Sequence, residues 1–192
     1  MREIIFATGN KNKLREVQQM IGEAYRIITP QECGITEDIP ETSPTIEGNA
    51  LQKARYIYEK TGADCFADDT GLEIDFLGGE PGVYSARYAG EAKSSEDNMN
   101  LVLQKMKGAK ERNARFKTVI ALIINGEEHI FEGVVYGEMT QERQGKEGFG
   151  YDPIFKPKGY AKTFAEMTLE EKNPISHRGL AIAKLITFLK NE

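Results

Sequence analysis

The sequence predicts an α/β fold with a mixed sheet, built as one compact unit. Three observations lead there. Short apolar runs alternate with helical patterns through the first half of the chain, which is how strands and crossover helices read. Asn125-Gly126 sits between two apolar runs and signals a hairpin, so part of the sheet is antiparallel. The 192 residues, 40% of them hydrophobic, are ample for a buried core.

The elements follow in order. Glu3 to Thr8 is an apolar run stopped by Gly9-Asn10, a buried strand. Residues 12–21 place Leu14, Val17 and Ile21 on one helical face. Residues 25–29 read as a strand, and the acidic, proline-punctuated stretch 30–44 as a surface loop. A second helix runs from near Thr45 to Lys60 and stops at Gly62, with Ile46, Ala50, Ala54, Ile57 and Tyr58 inward. Residues 63–69 form a strand ending in carboxylates, and 72–77 a separate short strand. Residues 78–82 (GGEPG) are a loop. Ser94 or Ser95 caps a helix carrying Met99, Val102, Leu103 and Met106. Strands 116–124 and 129–136 flank the hairpin turn. A glycine-rich turn covers 145–151, Thr168 to Glu171 fits a capping box, and the last helix runs from Ser176 to about Lys190.

Composition excludes several functional classes. The chain carries 25 Lys and Arg against 30 Asp and Glu, a net charge of −5. A coat for nucleic acid polymers needs clustered cations, so that class is disfavoured. No apolar run approaches the ~20 residues of a membrane span, and the N-terminus lacks a secretory apolar region. Cys33 and Cys65 lie far apart with no CxxC pair, so they read as reduced thiols of a cytoplasmic protein.

Four stretches could carry chemistry. Thr8, Gly9, Asn10, Lys11, Asn12 and Lys13 lie between a strand and a helix, where backbone N–H groups and the helix dipole attract anions. An ordinary turn with solvated lysines is the alternative. Asp68 and Asp69 close a strand, and with Glu41 they form an acidic set suited to Mg²⁺. Neighbouring strand residues face opposite ways, so the two aspartates should not share one job. Turn capping by either is the alternative. Phe149, Gly150, Tyr151 and Asp152 put two aromatics around a glycine, which fits stacking on a base. A packed turn is the alternative there. Lys172 precedes Ser176, a natural N-cap, so His177 and Arg178 fall in a first helical turn. Cations are disfavoured at that position unless an anion or carbonyl ligand meets them, and a solvent-facing first turn with Arg178 paired to a nearby Glu is the alternative. His129 reads as structural.

Taken together, TGNKNKLREV at 8–17, TIEGNALQKA at 45–54, ADDTGLEID at 67–75, GGEPGVYSARYAG at 78–90, GFGYDPIF at 148–155 and KNPISHRG at 172–179 resemble the Ham1-like non-canonical purine nucleoside triphosphate pyrophosphatases. The resemblance runs through nearly all of 1–192 as one domain. It implies an elongated mixed sheet flanked by helices, two lobes with a central substrate cleft, and a homodimer. It implies Mg²⁺-dependent hydrolysis of ITP, dITP or XTP to the monophosphate and pyrophosphate, which cleanses the nucleotide pool. By the same resemblance, Thr8, Gly9, Asn10 and Lys13 hold the phosphates, with Lys11 and Asn12 in the same loop. Glu41 and Asp69 bind Mg²⁺, and Asp69 accepts the proton of the attacking water. Thr70 contacts substrate; Phe149, Gly150, Tyr151 and Asp152 form the base and sugar pocket; and Lys172, His177 and Arg178 touch substrate, the last two at the purine edge.

Two positions depart from the family pattern. Gly48 stands where several relatives have Glu, with Glu47 as a substitute carboxylate, and Thr70 stands where many have Ser. Two other readings compete. One is a Maf-type pyrophosphatase, against which the Ser-His-Arg motif argues. The other is a nucleotide- or RNA-binding regulator without turnover, against which Glu41 and Asp69 argue.

Overall fold

The computed structural model describes residues 2–192. Seven strands form one mixed sheet: β1 (Arg2–Phe6), β2 (Tyr25–Ile28), β3 (Cys65–Ile74), β4 (Pro81–Gly82), β5 (Asn113–Ile124), β6 (Glu127–Met139) and β7 (Phe155–Pro157). Their order is β2-β1-β3-β5-β6-β7, with β4 on β3. β1 is parallel to β2 and β3, whereas β4 is antiparallel to β3 and β7 to β6. The helices are α1 (Lys11–Ile21), α2 (Ile46–Thr61), α3 (Ser95–Lys105), α4 (Leu169–Lys172) and α5 (His177–Leu189).

The expected elements are present, with two corrections: the loop expected at 78–82 carries strand β4, Pro81–Gly82, which pairs with β3, and β3 itself is longer than expected. The strands expected at 63–69 and 72–77 are a single strand, β3, and residues 75–77 form a 3₁₀ turn. The strand survives Gly71 because its far half finds partners: Leu72 pairs with Gly82, and Glu73 with Pro81. The turn between β5 and β6 has φ 52° at Asn125 and 81° at Gly126, which explains the choice of those two residue types. Ser94 caps α3, and the capping box at Thr168 and Glu171 is formed.

Packing divides the chain into two compact units. One holds the residues up to Asp69, with 118–133 and 178–192; the other holds 70–117 and 134–177. In the first unit, strand periodicity sorts the core into two layers. Ile4, Phe6, Phe66, Ile120 and Leu122 pack with Val17 and Ile21 of α1 and Ile182 and Leu185 of α5. Ile5, Ala7, Cys65, Ala67, Val119 and Ala121 pack with Ala50, Ala54 and Ile57 of α2. Both faces of this part of the sheet are therefore covered, and its strands read as unbroken apolar runs. The second unit has one core, in which Leu72, Ile74, Val102, Met106, Phe116, Phe155 and Phe164 meet.

Candidate active site

The two-layer core decides what each aspartate of β3 meets. Asp68 continues the Phe66 face, under α1 and α5. Asp69 continues the Cys65 and Ala67 face, under α2. Asp68 accordingly accepts from Lys13 Nζ of α1 at 3.1 Å and from Arg178 Nε of α5 at 3.1 Å. Asp69 Oδ1 lies 3.7 Å from Lys53 Nζ of α2. The two aspartates thus face opposite sides of the sheet, as strand geometry predicts.

Around Asp68 the charges form a buried chain. Arg178 also donates to Glu16 Oε2 at 2.6 Å. Asp68, Glu16 and Arg178 are each at least 97% buried. Burial alone would raise the Asp68 carboxyl, but Lys13, Arg178 and Lys53 outweigh it and hold it well below the usual carboxylate range. Burial also lowers the Lys13 ammonium, against the pull of Asp68. Lys13 is thus tethered with its side chain still 15% exposed, a cation aimed by a fixed carboxylate.

The opposite face is acidic and less satisfied. Lys53 Nζ donates to the Asp68 carbonyl at 2.6 Å and pairs with Glu41 at 2.6 Å. Burial pushes the Lys53 ammonium down, but Asp69, Glu41 and Asp68 together raise it, so it stays charged. Asp69 has no such surplus of cations. Burial pushes its carboxyl up to about 6, with Glu41 and Asp68 adding and Lys53 and Lys13 opposing. Its Oδ2 is buried and has no hydrogen-bond partner among the described residues. A buried carboxylate oxygen without a donor fits a divalent cation or a reacting water. Among the described residues no three His, Cys, Asp or Glu side chains converge as metal ligands. Glu41 and Asp69, both beside Lys53 Nζ, are the carboxylates on this face that could hold a divalent cation, which would need its other ligands from water or a substrate.

The loop before α1 is built for approach. Asn10 caps the helix, its Oδ1 accepting from the N–H groups of Asn12 (2.9 Å) and Lys13 (3.2 Å), and Thr8 Oγ1 accepts from Asn10 N. Two of the N–H groups offered to an anion by the sequence argument are therefore already used. Gly9 has no atom within 4 Å of where a Cβ would sit, so the space above it is open. Lys11 and Asn12 are exposed on the first turn.

Gly48 also has a local reason. A Cβ there would lie 1.9 Å from Ser43 Oγ, so Ser43 fills the space that a larger side chain would need. Glu47 is exposed on α2, while Glu41 reaches Lys53.

The second unit assembles the aromatic stretch. Lys172 Nζ donates to Asp152 Oδ2 at 2.8 Å, and Phe149 N donates to the same oxygen at 3.0 Å. The Lys172 ammonium lies 5.1 Å from the Phe149 ring centre, a cation–π distance. Asp152 and Lys172 are buried, whereas Phe149 and Gly150 are half-buried. Tyr151 is buried and donates its hydroxyl to the Ser85 carbonyl at 2.6 Å. His177 opens α5, buried and stacked on Phe116 with ring centres 4.5 Å apart. Thr70 follows Asp69 on β3 and is half-buried.

Sequence reasoning omitted Glu16 and Lys53 from the site, and it left Asp68 without a partner. Both omitted residues carried a signal. Lys53 falls on the apolar stripe of α2 between Ala50 and Ile57, and Glu16 lies one turn from Lys13 beside Val17. A charge on a core-facing stripe needs a buried partner. Arg178 was expected at the purine edge; here its Nε and Nη1 serve Asp68 and Glu16.

Comparison with known proteins gives one consistent picture. The profile of the Ham1 family matches residues 4–188. The dITP/XTP pyrophosphatase of Flavobacterium johnsoniae is 54% identical over 187 residues, 97% of both chains. That of Flavobacterium psychrophilum is 53% identical over 98% of this chain and 100% of its own. Among solved structures, the Ham1 protein from Coxiella burnetii superposes with a TM-score of 0.91 at 40% identity, covering 100% of both chains. The Staphylococcus aureus Ham1 protein gives 0.90 at 40% identity over 99% of both.

Proposed function

The chain belongs to the Ham1 family, and from that premise we propose that it hydrolyses dITP, ITP and XTP to the monophosphate and pyrophosphate. The observation that carries this is the near full-length identity to dITP/XTP pyrophosphatases, in a chain whose β3 carboxylates are flanked by Lys13 and Lys53. The Mg²⁺ dependence, the residue roles and a homodimer are parts of the same reading. So is action in the cytoplasm, where the nucleotide pool lies.

The chemistry follows from the residues. Water adds to the α-phosphorus, the α–β bridging P–O bond breaks, and the water proton passes to Asp69. Asp69 Oδ2 is the suitable acceptor, because nothing in the described chain occupies it and a carboxyl near 6 is charged yet basic at neutral pH. Bound through Glu41 and Asp69, Mg²⁺ supplies positive charge for the phosphate oxygens and the leaving pyrophosphate. Lys13 adds a fixed cation to the same task, held by Asp68.

Base choice belongs to the second unit. Phe149 offers its face to a purine, with Asp152, Lys172 and His177 as the polar residues beside it. A donor facing a 6-oxo group would meet another donor in adenine, at a cost of roughly 1–3 kcal/mol. The test is a substrate panel with Mg²⁺. Pyrophosphate and XMP, IMP or dIMP from the deaminated purines, with little from ATP, is the expected result. A pyrimidine preference would support the Maf-type reading, and Mg²⁺-indifferent binding without products would support a regulator.

A further inference from the structure

Ser85 is the meeting point of four hydrogen bonds. Its Oγ accepts from Leu72 N at 2.9 Å and donates to the Gly82 carbonyl at 2.6 Å. Its carbonyl accepts from Tyr151 Oη at 2.6 Å and from Asn98 Nδ2 at 3.4 Å. Asn98 in turn donates to the Ala86 carbonyl at 3.0 Å and accepts from Ala89 N at 2.7 Å. Ser85, Asn98 and Tyr151 are all at least 93% buried, so water does not replace these bonds cheaply. The 78–90 segment, which no step above uses, is therefore pinned from β3, from α3 and from the aromatic loop at once.

The aromatic loop is pinned at its other end as well. Asp152 folds back so far that a Cβ on Gly148 would lie 2.1 Å from its Oδ2. That oxygen holds Phe149 N and Lys172 Nζ. Between the two anchors only Phe149 and Gly150 remain half-exposed.

We propose that Ser85, Asn98 and the Tyr151 hydroxyl form a strut that sets the position of the Phe149 ring, making Tyr151 and Asn98 positioning residues for the base of the nucleotide. The inference rests on the reading of residues 149–152 as the base pocket. It assigns Tyr151 to the support of the pocket and leaves the stacking face to Phe149. Replacing Tyr151 by Phe keeps the ring and the packing and deletes one donor, so only the strut is cut.

The test compares wild type with Tyr151→Phe, using XTP, the product XMP, and inorganic tripolyphosphate, which has the phosphate chain without a base. The expected result is a rise of about three- to tenfold in KM for XTP and in the inhibition constant of XMP. The inhibition constant of tripolyphosphate and kcat should stay as in wild type. Asn98→Ala should move the same constants in the same direction. If Tyr151→Phe changes none of them, or weakens XMP and tripolyphosphate alike, the strut does not act on the base and the proposal is overturned. A wild-type protein that neither hydrolyses XTP nor binds XMP overturns the functional reading instead, and the strut's assigned purpose with it.

Discussion

Asp68 and Asp69 are neighbours on β3 whose carboxyl groups meet opposite electrostatic fates: Asp68 is held well below the usual range, whereas Asp69 is pushed up to about 6. The cause is the pleat. One side chain falls among Lys13 and Arg178, the other beside Glu41 with Lys53 as its near cation. One residue type thus supplies a rigid anion that aims a lysine and a basic carboxylate suited to accepting a proton.

The raised carboxyl gives a pH dependence with a definite sign. Asp69 must be ionised to accept a proton; burial pushes its carboxyl up to about 6 in the metal-free protein, so kcat/KM for XTP should rise with increasing pH on the acid side, with its inflection below that value, and be level at neutral pH. Mg²⁺ on this carboxylate should move the inflection lower. Stability runs the other way. The folded state binds this proton more tightly than the unfolded chain, so the Asp69 contribution to stability is largest at low pH and falls as pH rises through about 6. Between pH 7.5 and 5, the stability of wild type relative to Asp69→Asn should increase by about 1 kcal/mol. Denaturant titrations at the two pH values measure it.

The chain Glu16–Arg178–Asp68–Lys13 is buried, so losing one member strands a charge. Arg178→Leu should cost about 3–5 kcal/mol, because Glu16 and Asp68 lose their partner together. Arg178→Lys should recover only part of this, since an ammonium lacks the planar fork that serves two carboxylates. Thermal and chemical denaturation of the three proteins read the effect.

Much of this was legible in the sequence. The alternation of Ile4, Ile5, Phe6 and Ala7 announces a strand covered on both faces, and the Asn125-Gly126 pair announces the hairpin. The opposed directions of Asp68 and Asp69 follow from strand geometry alone. What the sequence could not give was the partner of each charge. Glu16 and Arg178 are 162 positions apart and meet at 2.6 Å only because α1 and α5 cover the same face of the sheet. The break expected near Gly71 is absent because β4 supplies a partner for β3, a non-local fact. Tyr151 has the same origin, since its hydroxyl finds a carbonyl 66 positions away.

Lys53 sits between Glu41 and Asp69 and neutralises part of their repulsion. Lys53→Met should leave two carboxylates near each other without that cation, raising the Asp69 carboxyl further and shifting the rate inflection to higher pH. Added Mg²⁺ should raise the melting temperature of wild type, and EDTA should abolish turnover while leaving the far-UV circular dichroism unchanged.

Gly148 adopts φ 72° in contact with the folded-back Asp152. Gly148→Ala puts a side chain both into a left-handed backbone and onto Asp152 Oδ2. It should displace the Asp152–Lys172 pair and raise KM for XTP by about tenfold or more, at a cost of roughly 1–3 kcal/mol. Steady-state kinetics and a melting curve together check both effects.

Hydrolysis of XTP with Mg²⁺ in ¹⁸O-labelled water, read by ³¹P NMR or mass spectrometry, addresses the role given to Asp69 most directly. Attack of the Asp69-activated water on the α-phosphorus places the label in the phosphate of XMP and leaves pyrophosphate unlabelled, and Asp69→Asn loses nearly all of this turnover. Label in pyrophosphate, orthophosphate as the first product, or wild-type turnover by Asp69→Asn contradicts it.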